Sequence, residues 1–353
     1  MAVSTCLVPG QLAAGRASAQ SAATQPPAQT QTASETPRPR VYLFATGGTI
    51  SNRSGGRLSV EELIQSIPNL PRHVRAEGEQ FSNISSGAMT LKNWIDLSRR
   101  VNERLKDDRD LAGVVVTSGT DTLEELAYFL HLTVRDERPV VIVGAMRNPS
   151  TLGYEGAANL EDAFRVAAEP ESRGMGALVV LNDEINSARE ATKTDSLRLD
   201  TFTSRRYGIL GVADNDRVVY VRKPVRRHTA QSEFDIGAID ELPRVDVLLT
   251  YQGAPGDLIR AAVDAGAKGI VIAGAGTGAI SGTQSEGLRY ATEKSVFVVT
   301  TTRTGSGRVP GGGRGGYRLN GDDLQPIKAR VLLMLGLATT SDPIELQRIF
   351  REY

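Results

Sequence analysis

The chain has 353 residues, 40% of them hydrophobic, and its 41 basic and 41 acidic side chains cancel to a net charge of zero at pH 7. That length and apolar content suit two domains with a sizeable core. The charge balance excludes a nucleic acid or anionic membrane held by a general positive field, and no run reaches the ~18 apolar residues of a membrane span.

Residues 1–39 are rich in Ala, Gln, Thr, Ser and Pro without apolar periodicity, and are not expected to fold. Ala17, Ser18 and Ala19 look like a small-residue cleavage site. Residues 3–14 resemble an apolar export segment interrupted by Pro9, Gly10 and Gln11, with no basic stretch before it. A truncated export signal is the expectation, and with it a periplasmic or secreted location, otherwise a cytoplasmic one. The only cysteine, Cys6, falls here, so the folded part can hold neither a disulfide nor a thiolate.

The first domain is expected over 40–221. Residues 41–45 (VYLFA) read as an apolar strand that runs into Thr46, Gly47, Gly48, Thr49, Ile50 and Ser51. Paired glycines permit a tight turn and display Thr49 on it; an ordinary Gly-Gly turn would look the same. Residues 52–59 are polar, with Gly, Arg and Ser, and suggest a mobile loop that could act as a lid, before a short helix from about Val60. Residues 83–89 (NISSGAM) form another polar turn. A helix follows with Leu91, Trp94, Ile95, Ser98 and Val101 on one side.

Residues 113–130 (GVVVTSGTDTLEELAYFL) organise this domain. A β-branched strand, 114–116, meets the polar turn Thr117, Ser118, Gly119, Thr120, Asp121, Thr122. A helix then begins with Leu123, Leu126, Ala127 and Leu130 on one buried face. In an open α/β sheet the carboxyl end of a strand before a helix is where ligands bind. Asp121 with Glu124, or Thr122 with Glu125, also has capping-box spacing, which would stabilise the helix with no chemistry implied. Further strands at 140–144 and 177–181 flank a helix containing Leu160, Ala163, Phe164 and Ala167. Alternating strands and helices predict βαβ units and a mainly parallel sheet flanked by helices. Residues 189–204 read as polar surface loop, with Lys193 a solvated lysine by composition alone.

Residues 222–244, with Pro224, Pro243 and a basic cluster at Arg222, Lys223, Arg226 and Arg227, read as a linker with a solvated surface. A smaller α/β domain is expected over 245–353. It opens with a strand at 245–250, a helix at 257–265 and a strand at 269–273. Gly274, Gly276 and Gly278 form a tight turn whose spacing does not fit a dinucleotide site. A Gly/Arg-rich loop spans 303–316. Helices are expected at 326–338 and from Asp342, where Pro343 suits the first helical position.

Without a thiol in the folded part, and with His73, His131 and His228 outside any metal-ligand or triad spacing, zinc hydrolysis and Ser-His-Asp catalysis lack their parts. Hydroxyl nucleophiles remain, and a threonine needs a base such as a neutral lysine. Thr49, Thr120, Asp121 and a lysine from elsewhere would make such a set.

The segments ATGGTIS (45–51), TSGTDTLEELAYFL (117–130), PVVIVGAMR (139–147) and REATKTD (189–195) resemble the bacterial L-asparaginase family, the type II asparaginases and glutaminase-asparaginases. The likeness continues through YGILG (207–211) and KARVLL (328–333), and covers roughly 40–353. It implies an amidohydrolase that converts L-asparagine, and L-glutamine as a possible second substrate, to the acid and ammonia through an acyl-enzyme, with no metal or cofactor. Thr49 matches the family's nucleophile, and Thr120, Asp121 and Lys193 its second catalytic set. Ser86 matches the serine that holds the substrate α-carboxylate, and Asp121 would also bind the α-amino group. Gly119 belongs to the same turn, and Ala145 sits where backbone atoms face the amide. The likeness further implies a homotetramer, a dimer of dimers in which one subunit's C-terminal domain completes its neighbour's site.

Four departures stand out. The short loop after Thr49 carries no lid tyrosine, Gly87 stands where a substrate-binding glutamine is usual, 303–316 offers no acid, and near Gln252 and Gly253 the asparagine that such a family lends across the dimer is absent. They motivate an alternative, a catalytically weakened amino-acid or amide-binding protein on the same fold. A third reading, the asparaginase-like subunit of a tRNA-dependent amidotransferase, would require an appended domain that the sequence does not suggest.

Overall fold

The β-branched runs of the first domain become the centre of one large sheet. The computed structural model describes residues 37–311 and 315–353, so Cys6, the export-signal reading and three residues of the Gly/Arg-rich loop lie outside the described residues. Its strands are β1 (Arg40–Gly47), β2 (Arg75–Ile84), β3 (Leu111–Thr117), β4 (Val140–Val143), β5 (Ala177–Leu181), β6 (Glu184–Ser187), β7 (Gly211–Ala213) and β8 (Val218–Tyr220). Their spatial order is β8-β7-β6-β5-β4-β3-β1-β2. The five strands from β2 to β5 are parallel, and β6, β7 and β8 continue the sheet antiparallel. The valines of β3 and β4 are wholly buried, as expected of parallel strands covered on both faces.

From β1 the chain crosses to β2 at the sheet edge, then returns past β1 to β3 and continues to β4 and β5. The direction of winding therefore reverses between β1 and β3. At such a switch point the connections leave a crevice outside the carboxyl ends of the strands.

Helices α1 (Leu91–Asp107), α2 (Leu123–Thr133) and α3 (Gly156–Ala168) cover the sheet. Helix α1 buries Trp94, Ile95, Leu97, Ser98, Val101 and Leu105, and Thr90 caps it through a box with Asn93. Helix α2 departs from the expected single buried face, for every residue except Glu125 is buried. The reason is the second domain, which lays a helix of its own across the outer side of α2.

That domain is a four-stranded parallel sheet, β9 (Val245–Leu249), β10 (Gly269–Gly274), β11 (Phe297–Thr302) and β12 (Arg318–Asn320), in sequential order. It carries α4 (Asp257–Asp264), α5 (Gln284–Glu293), α6 (Pro326–Thr339) and α7 (Pro343–Glu352). Helix α6 packs on α2, and one continuous core runs from Phe44 and Phe129 to Leu332 and Phe350. Asp342 caps α7 by accepting from Ile344 N, with Pro343 in the first turn.

Four expectations are corrected. Residues 52–59 include a two-stranded hairpin, Asn52–Arg53 on Gly56–Arg57, rather than an unstructured loop. Residues 189–204 are not simply surface, because Arg189 is buried and Thr192–Lys193 pairs with Phe202–Thr203. The segment 222–244 buries Phe234, Ile236, Ile239 and Leu242. Its basic cluster is largely engaged: Arg222 pairs with Glu190, Arg226 with Asp322 and Arg227 with Glu352. The ten-residue edge strand β2 has no counterpart among the elements expected from the sequence.

Candidate active site

Strands β1 and β3 lie side by side in parallel register, so their carboxyl ends deliver two polar turns to one place. Two hydrogen bonds join the turns at their base. Thr46 N donates to Thr117 Oγ1 at 3.1 Å, and Thr46 Oγ1 donates to Thr117 O at 2.6 Å. Gly48, at φ +86°, lies directly against the second turn: a Cβ there would stand 2.3 Å from Gly119 N and 2.4 Å from Gly119 Cα. Only glycine permits that approach. Thr49 follows at the start of a 3₁₀ turn, Thr49–Ser51.

A third turn closes the crevice. Ser86, buried in the 3₁₀ turn after β2, lies so near Gly119 that a Cβ on that glycine would be 2.9 Å from Ser86 Oγ. Gly87 beside it is exposed, and a Cβ there would meet nothing within 4 Å. From β4 comes a fourth edge. Ser118 N donates to Val143 O at 2.8 Å. A Cβ on Gly144 would be 3.1 Å from Thr120 Cγ2, and Ala145 follows, fully buried. Asn159 Nδ2 holds this corner by donating to Gly144 O at 3.0 Å.

The lysine arrives from the short ribbon. Lys193 Nζ donates to Thr120 Oγ1 at 3.0 Å and to Asp121 Oδ1 at 2.8 Å. Its side chain is 15% exposed, whereas that of Asp121 is 83% exposed. The ammonium is thus enclosed while the carboxylate opens to solvent, free to receive another partner. The capping box is absent, since Thr122 stands at the start of α2 without a side-chain cap bond and Asp121 turns to Lys193. Glu124 has left the capping role too. Its buried Oε1 accepts from Lys193 N at 3.2 Å, and its Oε2 is buried without a hydrogen-bond partner.

Several contributors had no signal in the sequence. Tyr154 donates its hydroxyl to Ile50 O at 2.7 Å, bracing the turn that carries Thr49, and burial raises its pKa. Lys328, on α6, is completely buried. Its Nζ donates to Ala188 O at 2.7 Å, to Arg189 O at 3.0 Å and to Ala191 O, the stretch leading into Lys193. Burial lowers this ammonium to about 8. Beside it Arg189 meets Asp323 with two bonds, of 3.1 and 2.8 Å, so the second domain grips the strap that bears the site lysine. A lysine inside an apolar helical run was the one available hint. Among the described residues no group of three or more His, Cys, Asp or Glu could hold a metal ion.

Residues 40–226 match the family model for the asparaginase N-terminal domain, and 244–350 match that for the glutaminase/asparaginase C-terminal domain. The chain belongs to the asparaginase family. It is 42% identical over 327 residues to L-asparaginase 2 of Bacillus subtilis, a match covering 89% of this chain and 87% of that protein. It is 38% identical over 329 residues to a probable periplasmic L-asparaginase of Haemophilus influenzae, covering 89% and 93%. Among solved structures, a probable cytoplasmic L-asparaginase from Campylobacter jejuni superposes with a TM-score of 0.84 at 35% identity, over 90% of this chain and all of that one. By this membership the chain is a hydrolase of the L-asparaginase type. Its relatives carry names from both compartments, and none of its own described helices is long and apolar enough to cross a membrane.

Proposed function

We propose that this protein hydrolyses the side-chain amide of L-asparagine, and of L-glutamine as a second substrate, through a threonine ester. One observation carries the reading. Lys193 Nζ lies within hydrogen-bond distance of both Thr120 Oγ1 and Asp121 Oδ1, on a turn packed directly against the one displaying Thr49.

In this reading Thr49 Oγ1 attacks the amide carbonyl carbon, the C–N bond breaks, and ammonia leaves with the proton lost by the hydroxyl. Water then attacks the ester carbon, releasing the acid and restoring Thr49. Thr120 and Lys193 form the relay for protons through Thr120 Oγ1, with Asp121 fixing the direction of the lysine head group. Turn N–H groups meet the charge on the carbonyl oxygen, a contribution of ~3 kcal/mol per donor. Ser86 takes the α-carboxylate, the open oxygen of Asp121 the α-amino group, and the backbone of Gly119 and Ala145 lines the amide end. Gly87 contributes space rather than a ligand.

Self-association as a homotetramer, a dimer of dimers, completes the proposal. Its support is the exposed Leu249, Tyr251 and Leu258 at and beside the outer strand β9, a surface that size-exclusion chromatography with light scattering tests. The compartment is decided by fractionation of the natural host, with periplasm or medium expected.

The test is ammonia release from L-asparagine and L-glutamine by the parental protein and by Thr49→Ala, Thr120→Ala and Lys193→Met. Each variant is expected to keep its Tm and lose kcat by about 100-fold or more. Mass spectrometry of an acid-quenched reaction should find the acyl adduct on the Thr49 peptide. Near-parental turnover by Thr120→Ala would refute the role given to that hydroxyl.

A further inference from the structure

Arg57 holds a position that the reaction scheme leaves unused. It lies on the second strand of the hairpin, Gly56–Arg57, directly after the Thr49 turn. The side chain is half-buried; its Nη1 is buried without a hydrogen-bond partner, and no ion pair to it is found among the described residues. Half-buried Arg40 differs: its Nε is likewise buried and unbonded, but its guanidinium meets Glu77 and Asp108. A guanidinium is charged at all working pH and presents five donors in a fixed fork, so one whose Nη1 is buried without an acceptor is incomplete.

Its location indicates what completes it. A Cβ built on Gly47 would stand 3.0 Å from Arg57 Nη1 and 2.5 Å from Ile84 O, which puts the guanidinium at the junction of the Thr49 turn and the approach to Ser86. The hairpin keeps it there. Leu58 N donates to Ser51 O at 2.7 Å, Ser54 N to Ser150 Oγ at 2.8 Å, and Arg53 pairs with Glu62. Gly87, next to Ser86 in sequence, has no side chain, and a Cβ there would meet nothing within 4 Å.

We propose that Arg57 is a specificity-determining residue whose guanidinium pairs with the substrate's α-carboxylate alongside Ser86. The inference rests on the amidohydrolase reading. It deepens that reading by making the short hairpin a source of substrate recognition: the ligand arrives as a zwitterion, its ammonium goes to Asp121 and its carboxylate supplies the missing counter-ion. Amides whose α-carboxylate is neutralised lose that partner.

The test compares the parental protein with Arg57→Met and Arg57→Lys, first confirming that Tm is retained. Arg57→Met is expected to raise KM for L-asparagine about 10- to 100-fold, with kcat within about threefold. Arg57→Lys recovers part of the loss, since it keeps the charge and loses the fork. Competitive inhibition supplies the control that a structural role would fail. Inhibition by L-aspartate weakens in Arg57→Met by a factor similar to the KM change, while inhibition by L-isoasparagine, whose α-carboxyl is an amide, stays within twofold. An unchanged KM for L-asparagine overturns the inference, as does equal weakening toward both inhibitors. If the parental protein releases no ammonia from L-asparagine, the amidohydrolase reading itself fails. Arg57 is then judged by the rise in Tm that L-aspartate produces, abolished in Arg57→Met if the inference holds and intact if it does not.

Discussion

Lys328→Met removes a completely buried ammonium and strands three carbonyls, those of Ala188, Arg189 and Ala191. Three charge-assisted bonds at about 1.5–3 kcal/mol each favour the parental protein. Against them stands the cost of desolvating the charge, which lowers the lysine from its ordinary 10.5 to about 8 and amounts to about 3 kcal/mol at about 1.4 kcal/mol per unit. The net loss expected at pH 7.5 is therefore about 1.5–6 kcal/mol. The sign of the pH dependence is fixed by the same shift. Between pH 8 and 10.5 the unfolded chain carries a proton on this lysine and the folded chain does not, so parental stability rises with pH across that window through this group. Its contribution is full above 10.5 and is lost as the pH falls through 8. Urea unfolding of both proteins from pH 7.5 to 10 should therefore show the gap between them widening by about 2–3 kcal/mol. A gap independent of pH would refute the argument that burial depresses this lysine. Because its carbonyl partners precede Lys193, the variant should also lose kcat at pH 7.5 with KM for L-asparagine nearly unchanged, read in the ammonia assay.

Gly48→Ala should abolish turnover and lower Tm, since its Cβ would stand 2.3 Å from Gly119 N and the residue would be strained at φ +86°, forcing the two turns apart; an active, equally stable variant would contradict the packing. Asp162 is raised to about 7, by burial first and then by Asp183, so ionising it costs stability as the pH climbs from 4 to 7. Asp162→Asn should accordingly raise Tm more at pH 8 than at pH 5, as differential scanning fluorimetry reads. Asp323→Ala leaves the buried Arg189 guanidinium without its carboxylate and should cost about 3–5 kcal/mol in denaturant unfolding; a cost under about 1 kcal/mol would mean that solvent reaches Arg189.

The parallel centre of the large sheet is legible because the short β-branched runs VVV at 114–116 and VVIV at 140–143, bounded by turns, read as strands buried on two faces. Strand β2 was not, because RAEGEQFSNI is an edge strand whose Glu77 and Glu79 meet arginines rather than core, leaving no apolar period to read. Helix α2 was legible as a helix but not as one buried all round. A single sequence carries no mark of the distant helix α6 that covers its outer side. The hydroxyl turns at Thr49 and Thr120 could be picked out one at a time, each with an innocent turn or cap as the competing explanation. Their meeting at the β1–β3 reversal depends on strand order, which is a property of the whole sheet. Lys193 stood out only through the family resemblance, and Glu124, Tyr154 and Lys328 act through contacts between residues 69 to 140 positions apart.

The hold that Lys328 and Asp323 keep on 188–191 has a consequence for dissecting the protein. A gene truncated after the large sheet would still encode every side chain assigned a chemical step, yet the ribbon bearing the amine would be untethered. Such a half-molecule would be expected to contain the reactive groups without their alignment, and adding the missing half as a separate polypeptide should restore turnover in proportion to how much of it docks.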